Sequence, residues 1–551
     1  MSGYLISRLQ QIGIKHLFGV PGDYNLDFLD DVLQSPICWV GNCNELNAGY
    51  AADGYARLNG VGAAVVTYSV GGLSILNAVA GAYAEHVPVL IISGAPPSRR
   101  RESGALVHHL VSNYYLQLDV YRKMTADAAL LADANTAPDE IDRVIRNCLA
   151  TKLPGYLELP ADITHARCRK PGELLLAASS TSNKDTLAEC IAEAAEIINK
   201  AKQPVILVGI EVLRFGLGKE TLRLVETIDI PFATMVSSKS VLPELHPQFI
   251  GLYQGGWSKD LVRRQVEESD GLLSLGAWMT DIDTGLFSIN LDNQRMISAG
   301  NGQVRIGNHY YHDIQLQDFI LELSIAVKPR SYQLSHPAGA YHAKQPYVPI
   351  SSRALTASRL YECLNYHLDD QMIVLAEPGD AFCAAPEFNI EEAENFIVQA
   401  YYSSIGYCTP AALGVALARP GKRPFILTGD GAFQMTAQEV STLIREHCPG
   451  VIVLINNDGY LIERKLHEDG IYNDIQKWQY AKLPAVFGDE SFIISIQVAT
   501  EEELEKAMQT AASAKDKLVF IEACLPNRDC SAGLDRLGNV FRLSATTKRE
   551  Q

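Results

Sequence analysis

Two continuous apolar runs, Pro424-Phe425-Ile426-Leu427-Thr428 and Val451-Ile452-Val453-Leu454-Ile455, each stop at a polar turn. The turns are Gly429-Asp430-Gly431 and, after a 24-residue gap, Asn456-Asn457-Asp458-Gly459. Apolar runs of this length, without alternation, suit strands buried on both faces of a parallel sheet. Between them, Ala437 to His447 places Val440, Leu443 and Ile444 at helical spacing, enough for a right-handed crossover. The pattern predicts a βαβ unit in an open α/β sheet. Both polar turns then lie at the carboxyl ends of parallel strands, where such sheets take their ligands.

The residue types in those turns suit a hard cation. Asp430 offers a carboxylate, Asn457 a side-chain carbonyl, and the turn at Asp458-Gly459 can aim a backbone carbonyl inward. Magnesium takes six oxygens in near-octahedral geometry and commonly completes its shell with phosphate oxygens and water. Gly429 and Gly431 let the backbone approach an anion, and a helix starting after Gly431 turns its positive end toward it. Either turn alone is an ordinary chain reversal. Their pairing at this spacing points to a metal-bound diphosphate.

Two further units precede this one. Residues 1–170 carry candidate strands at His16–Val20, Ala63–Thr67 and Val87–Ile92. The helical stretch Leu46 to Arg57 has small residues, Ala48, Gly49, Ala51 and Ala52, that permit close packing. Lys170 to Asp185 reads as a linker. Residues 186–330 hold a second unit with strands Pro204–Val208 and Gly271–Leu275, and Arg330 to Ser352 reads as a connector. Residues 353–551 form the third. The expected architecture is α/β, with three doubly wound parallel-sheet domains.

The formal charge of −17 argues against a nucleic-acid partner. No apolar stretch is long enough to span a bilayer. The amino terminus enters a helical pattern at once (Tyr4, Leu5, Leu9, Ile12) without the apolar core of a signal peptide. Eleven cysteines without a paired framework then read as those of a reduced, cytoplasmic protein.

Further motifs occur in order: Val20-Pro21-Gly22-Asp23-Tyr24-Asn25, Asn44-Glu45-Leu46-Asn47-Ala48, Leu106-Val107-His108-His109, Ser404-Ile405-Gly406, and Asp458-Gly459-Tyr460-Leu461-Ile462-Glu463. With the paired turns, this set resembles the thiamin diphosphate-dependent 2-oxo-acid decarboxylases, the pyruvate/indolepyruvate/phenylpyruvate decarboxylase group, over essentially the full chain. The resemblance implies pyrimidine-binding, middle and diphosphate-binding domains in that order. It also implies thiamin diphosphate and magnesium (Mg2+) as cofactors, with Asp430, Asn457 and Gly459 as metal ligands. The reaction implied is non-oxidative release of carbon dioxide and an aldehyde through the cofactor ylid and an enamine.

The resemblance assigns roles residue by residue. Glu45 is implied to hydrogen-bond the aminopyrimidine, Ile405 to buttress the bent cofactor, and the Ser403 carbonyl to accept from its amino group. Relatives commonly carry Gly where this chain has Ser403. Pro21, Thr67, Asp380, Gly429, Gly431, Ala432 and Ile462 complete the implied cofactor contacts. Asp23, His108, His109 and Glu463 form the implied proton-transfer set, and such groups contribute on the order of 10²–10⁴-fold. Burial and like charge would favour neutral Glu463 as the substrate carboxylate departs. The tandem histidines lack a third ligand at zinc spacing, which argues against a metal there.

Phe382 and Ile462 occupy implied substrate-pocket positions. The loop Glu377-Pro378-Gly379-Asp380-Ala381-Phe382-Cys383 departs from the family pattern at Pro378 and Ala381, which makes that wall more apolar. Apolar pockets discriminate a methylene by only about 1–3 kcal/mol, so activity on several 2-oxo acids is expected, with a broad or larger-than-pyruvate range. The alternative on the same scaffold is a carboligase of the acetolactate-synthase type, a class that does not typically carry tandem histidines. A homodimer with shared active sites, or a dimer of such dimers, is also implied.

Overall fold

The computed structural model describes residues 1–173, 181–330, 344–467 and 469–550, with the backbone alone for 543–550. Parts of the expected linker (174–180) and connector (331–343) lie outside the described residues. The first sheet contains β1 (His16–Gly19), β2 (Cys38–Gly41), β3 (Gly62–Val66), β4 (Val89–Ala95), β5 (Asp127–Leu130) and β6 (Gly155–Pro160). Its order is β2-β1-β3-β4-β6-β5, parallel throughout. The central strands β3, β4 and β6 are buried at every residue, as the unbroken apolar runs required.

The middle sheet contains β7 (Pro204–Val208), β8 (Phe232–Thr234), β9 (Phe249–Leu252), β10 (Gly271–Leu275), β11 (Met296–Gly300), β12 (Gly302–Ile306) and β13 (His309–Ile314). Its order is β13-β12-β11-β10-β7-β8-β9. Here the sheet departs from purely parallel winding, because β12 and β13 close one edge as an antiparallel pair. The strand sequence His-Tyr-Tyr-His-Asp-Ile is mostly exposed, so hydrophobic patterning gave no sign of it. The unit also begins earlier than residue 186. The Asn183 side chain caps the helix Lys184–Lys200, and Ser182 donates to Asp318 at 2.6 Å.

The third sheet contains β14 (Met372–Ala376), β15 (Phe396–Val398), β16 (Arg423–Gly429), β17 (Gly450–Asn456), β18 (Ile493–Val498) and β19 (Leu518–Cys524). All strands are parallel, in the order β15-β14-β16-β17-β19-β18. Counted within each domain, the first and third sheets share the order 2-1-3-4-6-5. The winding reverses between the first and third strands of each sheet, and a ligand crevice opens at that point. In the first sheet it lies beyond Gly19 and Val66; in the third it lies beyond Ala376 and Gly429.

The first and third domains meet through two helices, Glu45–Asn59 and Cys408–Ala418. A Cβ on Gly54 would lie 2.3 Å from the Ala411 carbonyl oxygen, and one on Gly414 would lie 1.9 Å from that of Ala51. The helix backbones therefore touch directly, and no rotamer change could make room. Gly414→Ala is expected to cost about 1–3 kcal/mol, as overpacked contacts do. Denaturant titration would read this as a lower midpoint, and an unchanged midpoint would refute the close contact.

A buried polar network joins all three domains beside this crossing. Arg57 donates to Asp53 at 2.6 Å and to the Val398 carbonyl at 2.9 Å. The Tyr407 hydroxyl also donates to Asp53 at 2.6 Å. Glu85 accepts the N–H groups of Tyr401 (2.7 Å) and Tyr402 (3.1 Å), and its carbonyl accepts from Arg214 of the middle domain at 2.7 Å. Opposite charges are thus paired away from water, and the network fixes the chain that leads into Ser403.

Candidate active site

Asp430 follows β16 directly and is 1% exposed. Its Oδ1 accepts the N–H of Gly431 at 2.8 Å, and its Oδ2 accepts those of Asn457 (3.2 Å) and Gly459 (3.1 Å). The two turns noted in the sequence thus close on one carboxylate. Burial pushes the Asp430 carboxyl up to about 6, against the pull of those N–H groups. Beside it, Asn457 is 4% exposed and its Oδ1 is buried without a hydrogen-bond partner. A desolvated carboxylate next to a partnerless carbonyl oxygen fits a hard cation.

The glycines here have local reasons. Gly459 has φ +134°, and a Cβ there would meet the Asn473 carbonyl at 2.2 Å. The Gly459 carbonyl accepts the Leu461 N–H at 3.0 Å and keeps a second lone pair. Gly431 lies under the Tyr460 ring, 2.5 Å from where a Cβ would stand. Gly429 faces open space, and Ala432 is buried in the first turn of the helix Asp430–Thr436.

The segment before the Cys408 helix carries Ser403 and Ile405. Ser403 has φ +53°, a left-handed conformation, which accounts for the glycine usual at this position. Ile405 is half-buried. Gly406, at φ +88°, turns the chain, and its carbonyl accepts Thr436 Oγ1 at 2.7 Å.

Phe382 is 5% exposed and meets Trp257 of the middle domain edge-on, with ring centroids 5.9 Å apart. Ile462, Ile282 and Leu286 pack on the same apolar cluster. The Asp380 side chain is held within the third domain. Its Oδ1 accepts from Ser531 Oγ (2.6 Å) and N–H (3.0 Å), and its Oδ2 accepts from the Tyr361 hydroxyl (3.0 Å).

In the first domain, Asn25 braces the turn at Pro21-Gly22 by accepting the Gly22 N–H and donating to the Val20 carbonyl. A Cβ on Gly22 would lie 2.5 Å from Thr67, whose Oγ1 is buried without a partner. Glu45 opens its helix just after the capping Asn44, and its Oε1 lies 3.3 Å from where a Gly71 Cβ would stand. Glu45 is half-buried.

His108 Nε2 and Asp23 Oδ2 are 2.6 Å apart, the Tyr24 ring stacks on His108 at 4.9 Å, and His109 meets His108 edge-on at 4.6 Å. Asp23 thus supplies in space the third ligand type that the sequence spacing lacked, with ligand atoms of all three residues within 4.8 Å of one another. Asp23 and His108 remain about half exposed, and their direct bond suits proton transfer. A second such group, Cys363, His367 and Glu505, lies between two outer helices, where its atoms bond one another.

Glu463 is not buried by its own chain. It is exposed on the short helix Leu461–Leu466, because Leu461 and Arg464 take the buried face. Among the described residues, no hydrogen bond or ion pair joins Asp23, His108 or His109 to Asp430, Asn457 or Glu463.

Sequence reasoning missed three buried carboxylates. Glu85 holds Tyr401 and Tyr402, as described. Glu439 accepts from Asn42 (2.7 Å), Asn47 (2.7 Å) and the Cys43 N–H (3.2 Å), which ties the third domain to the loop before Glu45. Glu377 accepts the N–H groups of Gly406, Tyr407 and Cys408. Glu377 alone left a trace in the sequence, standing at a strand end just before Gly379-Asp380.

Three family descriptions match the chain in order. They are the thiamine pyrophosphate enzyme N-terminal TPP binding domain over residues 1–118, the central domain over 191–323 and the C-terminal TPP binding domain over 380–523. The chain is 37% identical over 543 residues to an alpha-keto-acid decarboxylase of Mycobacterium leprae (strain TN), covering 98% of this chain and 95% of that one. It is 37% identical to one of Mycobacterium ulcerans (strain Agy99), covering 97% and 94%. It is 36% identical to one of Mycobacterium tuberculosis (strain ATCC 25618 / H37Rv), covering 97% and 96%. No helix of the described residues is long and apolar enough to cross a membrane.

Proposed function

Because the chain belongs to the thiamine pyrophosphate enzymes, as a thiamin diphosphate-dependent 2-oxo-acid decarboxylase, we propose that it converts several 2-oxo acids to aldehyde and carbon dioxide with magnesium as the second cofactor. The observation that carries the magnesium assignment is the buried pair of Asp430 carboxylate and partnerless Asn457 Oδ1. These two groups and the Gly459 carbonyl would hold the cation, and the cation and the N–H groups near Gly431 and Ala432 would hold the diphosphate.

When bound, thiamin diphosphate supplies an electron sink for the bond pair released with carbon dioxide. The remaining work belongs to the protein. Glu45 holds a proton at the pyrimidine. The Ser403 carbonyl and the Ile405 side chain would hold the cofactor between them, and Pro21 and Thr67 would line its pyrimidine end. Asp23, His108, His109 and Glu463 move protons at the substrate. The bond from His108 to Asp23 fixes the imidazole for that task.

Phe382, Ile462, Ile282 and Leu286 give the substrate side an apolar wall, which supports activity on acids larger than pyruvate. Exposed Leu106 (94%), next to the histidines, and Ile471 (89%) and Tyr472 (68%), next to the metal turn, support burial against a second copy. In that homodimer the first domain of one chain completes the site on the third domain of the other. A reduced, cytoplasmic setting accords with eleven free cysteines.

The test is carbon dioxide and aldehyde release from pyruvate, phenylpyruvate and branched-chain 2-oxo acids, with and without thiamin diphosphate and magnesium. Release from several acids, lost when either cofactor is withdrawn, is the expected result. Turnover of pyruvate alone would remove the proposed breadth, and acetolactate without free aldehyde would establish the carboligase instead.

A further inference from the structure

Glu377 extends β14 by one residue and is 0% exposed. Its backbone N–H donates to the Leu427 carbonyl at 2.9 Å, which keeps it in the ladder beside β16. Among the described residues its carboxylate pairs with no cation. Instead, Oε1 accepts the N–H groups of Gly406 (2.8 Å) and Tyr407 (3.0 Å), and Oε2 accepts that of Cys408 (3.0 Å). Three successive amides leading into the Cys408–Ala418 helix thus converge on one carboxylate, where amide donors and the helix dipole both favour negative charge.

The titratable side chains facing this carboxylate are the Cys408 thiol and the Tyr50 phenol. Burial raises the Cys408 thiol well above its ordinary range and pushes the Tyr50 phenol up to about 12, so both stay neutral near pH 7. A serine or asparagine could cap a helix at far less desolvation cost than a buried carboxylate. What the carboxylate adds is reach and number, since one group binds all three amides at once. Those amides follow Ile405 directly, and the Gly406 carbonyl is bonded in turn to Thr436 of the helix that starts at Asp430.

We infer that Glu377 is a positioning residue for the decarboxylation. By gripping the amides of Gly406, Tyr407 and Cys408 it sets the height and tilt of Ser403-Ser404-Ile405 against the cofactor, and it grips all three only when ionised. This inference rests on the placement of Ile405 under the cofactor proposed above.

Burial pushes the Glu377 carboxyl up to about 7, above its unfolded range. The sign of the linkage follows. The stability contributed by the raised value is present at low pH and is lost as pH rises through about 7. The fold thus gives up some global stability near neutrality to keep this carboxylate charged. Acidification should loosen the Gly406–Cys408 amides while the contribution of Glu377 to global folding stability rises.

The experiment uses the full chain. Hydrogen exchange of the Gly406, Tyr407 and Cys408 amides is followed in the cofactor-free protein between about pH 6 and 8, with intrinsic rates divided out. Protection that grows with pH is expected in wild type, and protection that does not change with pH would overturn the grip. Glu377→Gln should show weak, pH-independent protection at these amides and lower kcat by ~10²-fold with KM nearly unchanged, the scale of a small misplacement of reacting groups. Glu377→Asp should recover part of both. If Glu377→Gln fails to fold, wild-type exchange and Glu377→Asp still decide. Normal kcat in a folded Glu377→Gln protein would refute the positioning role. A wild-type enzyme that decarboxylates no 2-oxo acid would refute the functional reading instead, because the exchange experiment needs neither cofactor nor substrate.

Discussion

Asp430→Ala abolishes assembly of the holoenzyme at ordinary cofactor concentrations: affinity for thiamin diphosphate in the presence of magnesium falls by at least ~10²-fold, or ~2.7 kcal/mol. The change removes the one carboxylate proposed to face the cation, and Asn457 and Gly459 lose the acceptor of their N–H groups. Each buried N–H left without a partner costs about 1–3 kcal/mol, so the Asn457–Gly459 turn that presents the remaining oxygens also loosens. Asp430→Asn separates the two effects, because it keeps an acceptor for the turn and removes the charge on the metal. Titration calorimetry with magnesium held constant reads both variants. Wild-type affinity in Asp430→Ala would remove the metal assignment.

Glu45→Gln has the opposite profile. Turnover falls by on the order of 10²–10³-fold, the scale of a lost proton-transfer group, while cofactor affinity stays within about tenfold of wild type. Glu45 lies at a helix start in the first domain, away from the proposed cation ligands, so its loss leaves diphosphate binding in place. The two variants together test the shared site. Mixed and reassembled, chains carrying Glu45→Gln and Asp430→Ala should regain activity up to about a quarter of wild type if each site draws one of these residues from either chain of a symmetric dimer. If both residues serve the same site from one chain, no mixture recovers. An unchanged rate in Glu45→Gln would end its assignment as the pyrimidine partner.

The parallel sheets of the first and third domains were legible because buried strands write themselves as unbroken apolar runs. Pro424–Thr428 and Val451–Ile455 lie within β16 and β17 as expected. The antiparallel edge of the middle sheet was not legible, since an exposed strand such as β13 carries no apolar signature. The two polar turns that close on Asp430 were legible because their residues are local in sequence. Glu85 and Glu439 were hidden and Glu377 showed only as the first residue of its loop, because each acts on chain that is distant in sequence or folded onto it from another domain. Glu463 shows a different limit: helical spacing tells which residues share a face, and the packing of Leu461 and Arg464 decides which face turns inward.

The repeated winding of the outer sheets has a final consequence. Both sheets open a cleft between the same two strands, yet the clefts are furnished unequally. The third-domain cleft holds the Asp430 acid and the Asn457 oxygen, while the strand ends of its counterpart are lined by Gly22 and the Thr67 hydroxyl. Two like-shaped sockets of unlike polarity act as a plug that fits in one direction only. An elongated molecule with a charged tail and an aromatic head, laid from one to the other as proposed above, would be sorted end for end before any chemistry starts.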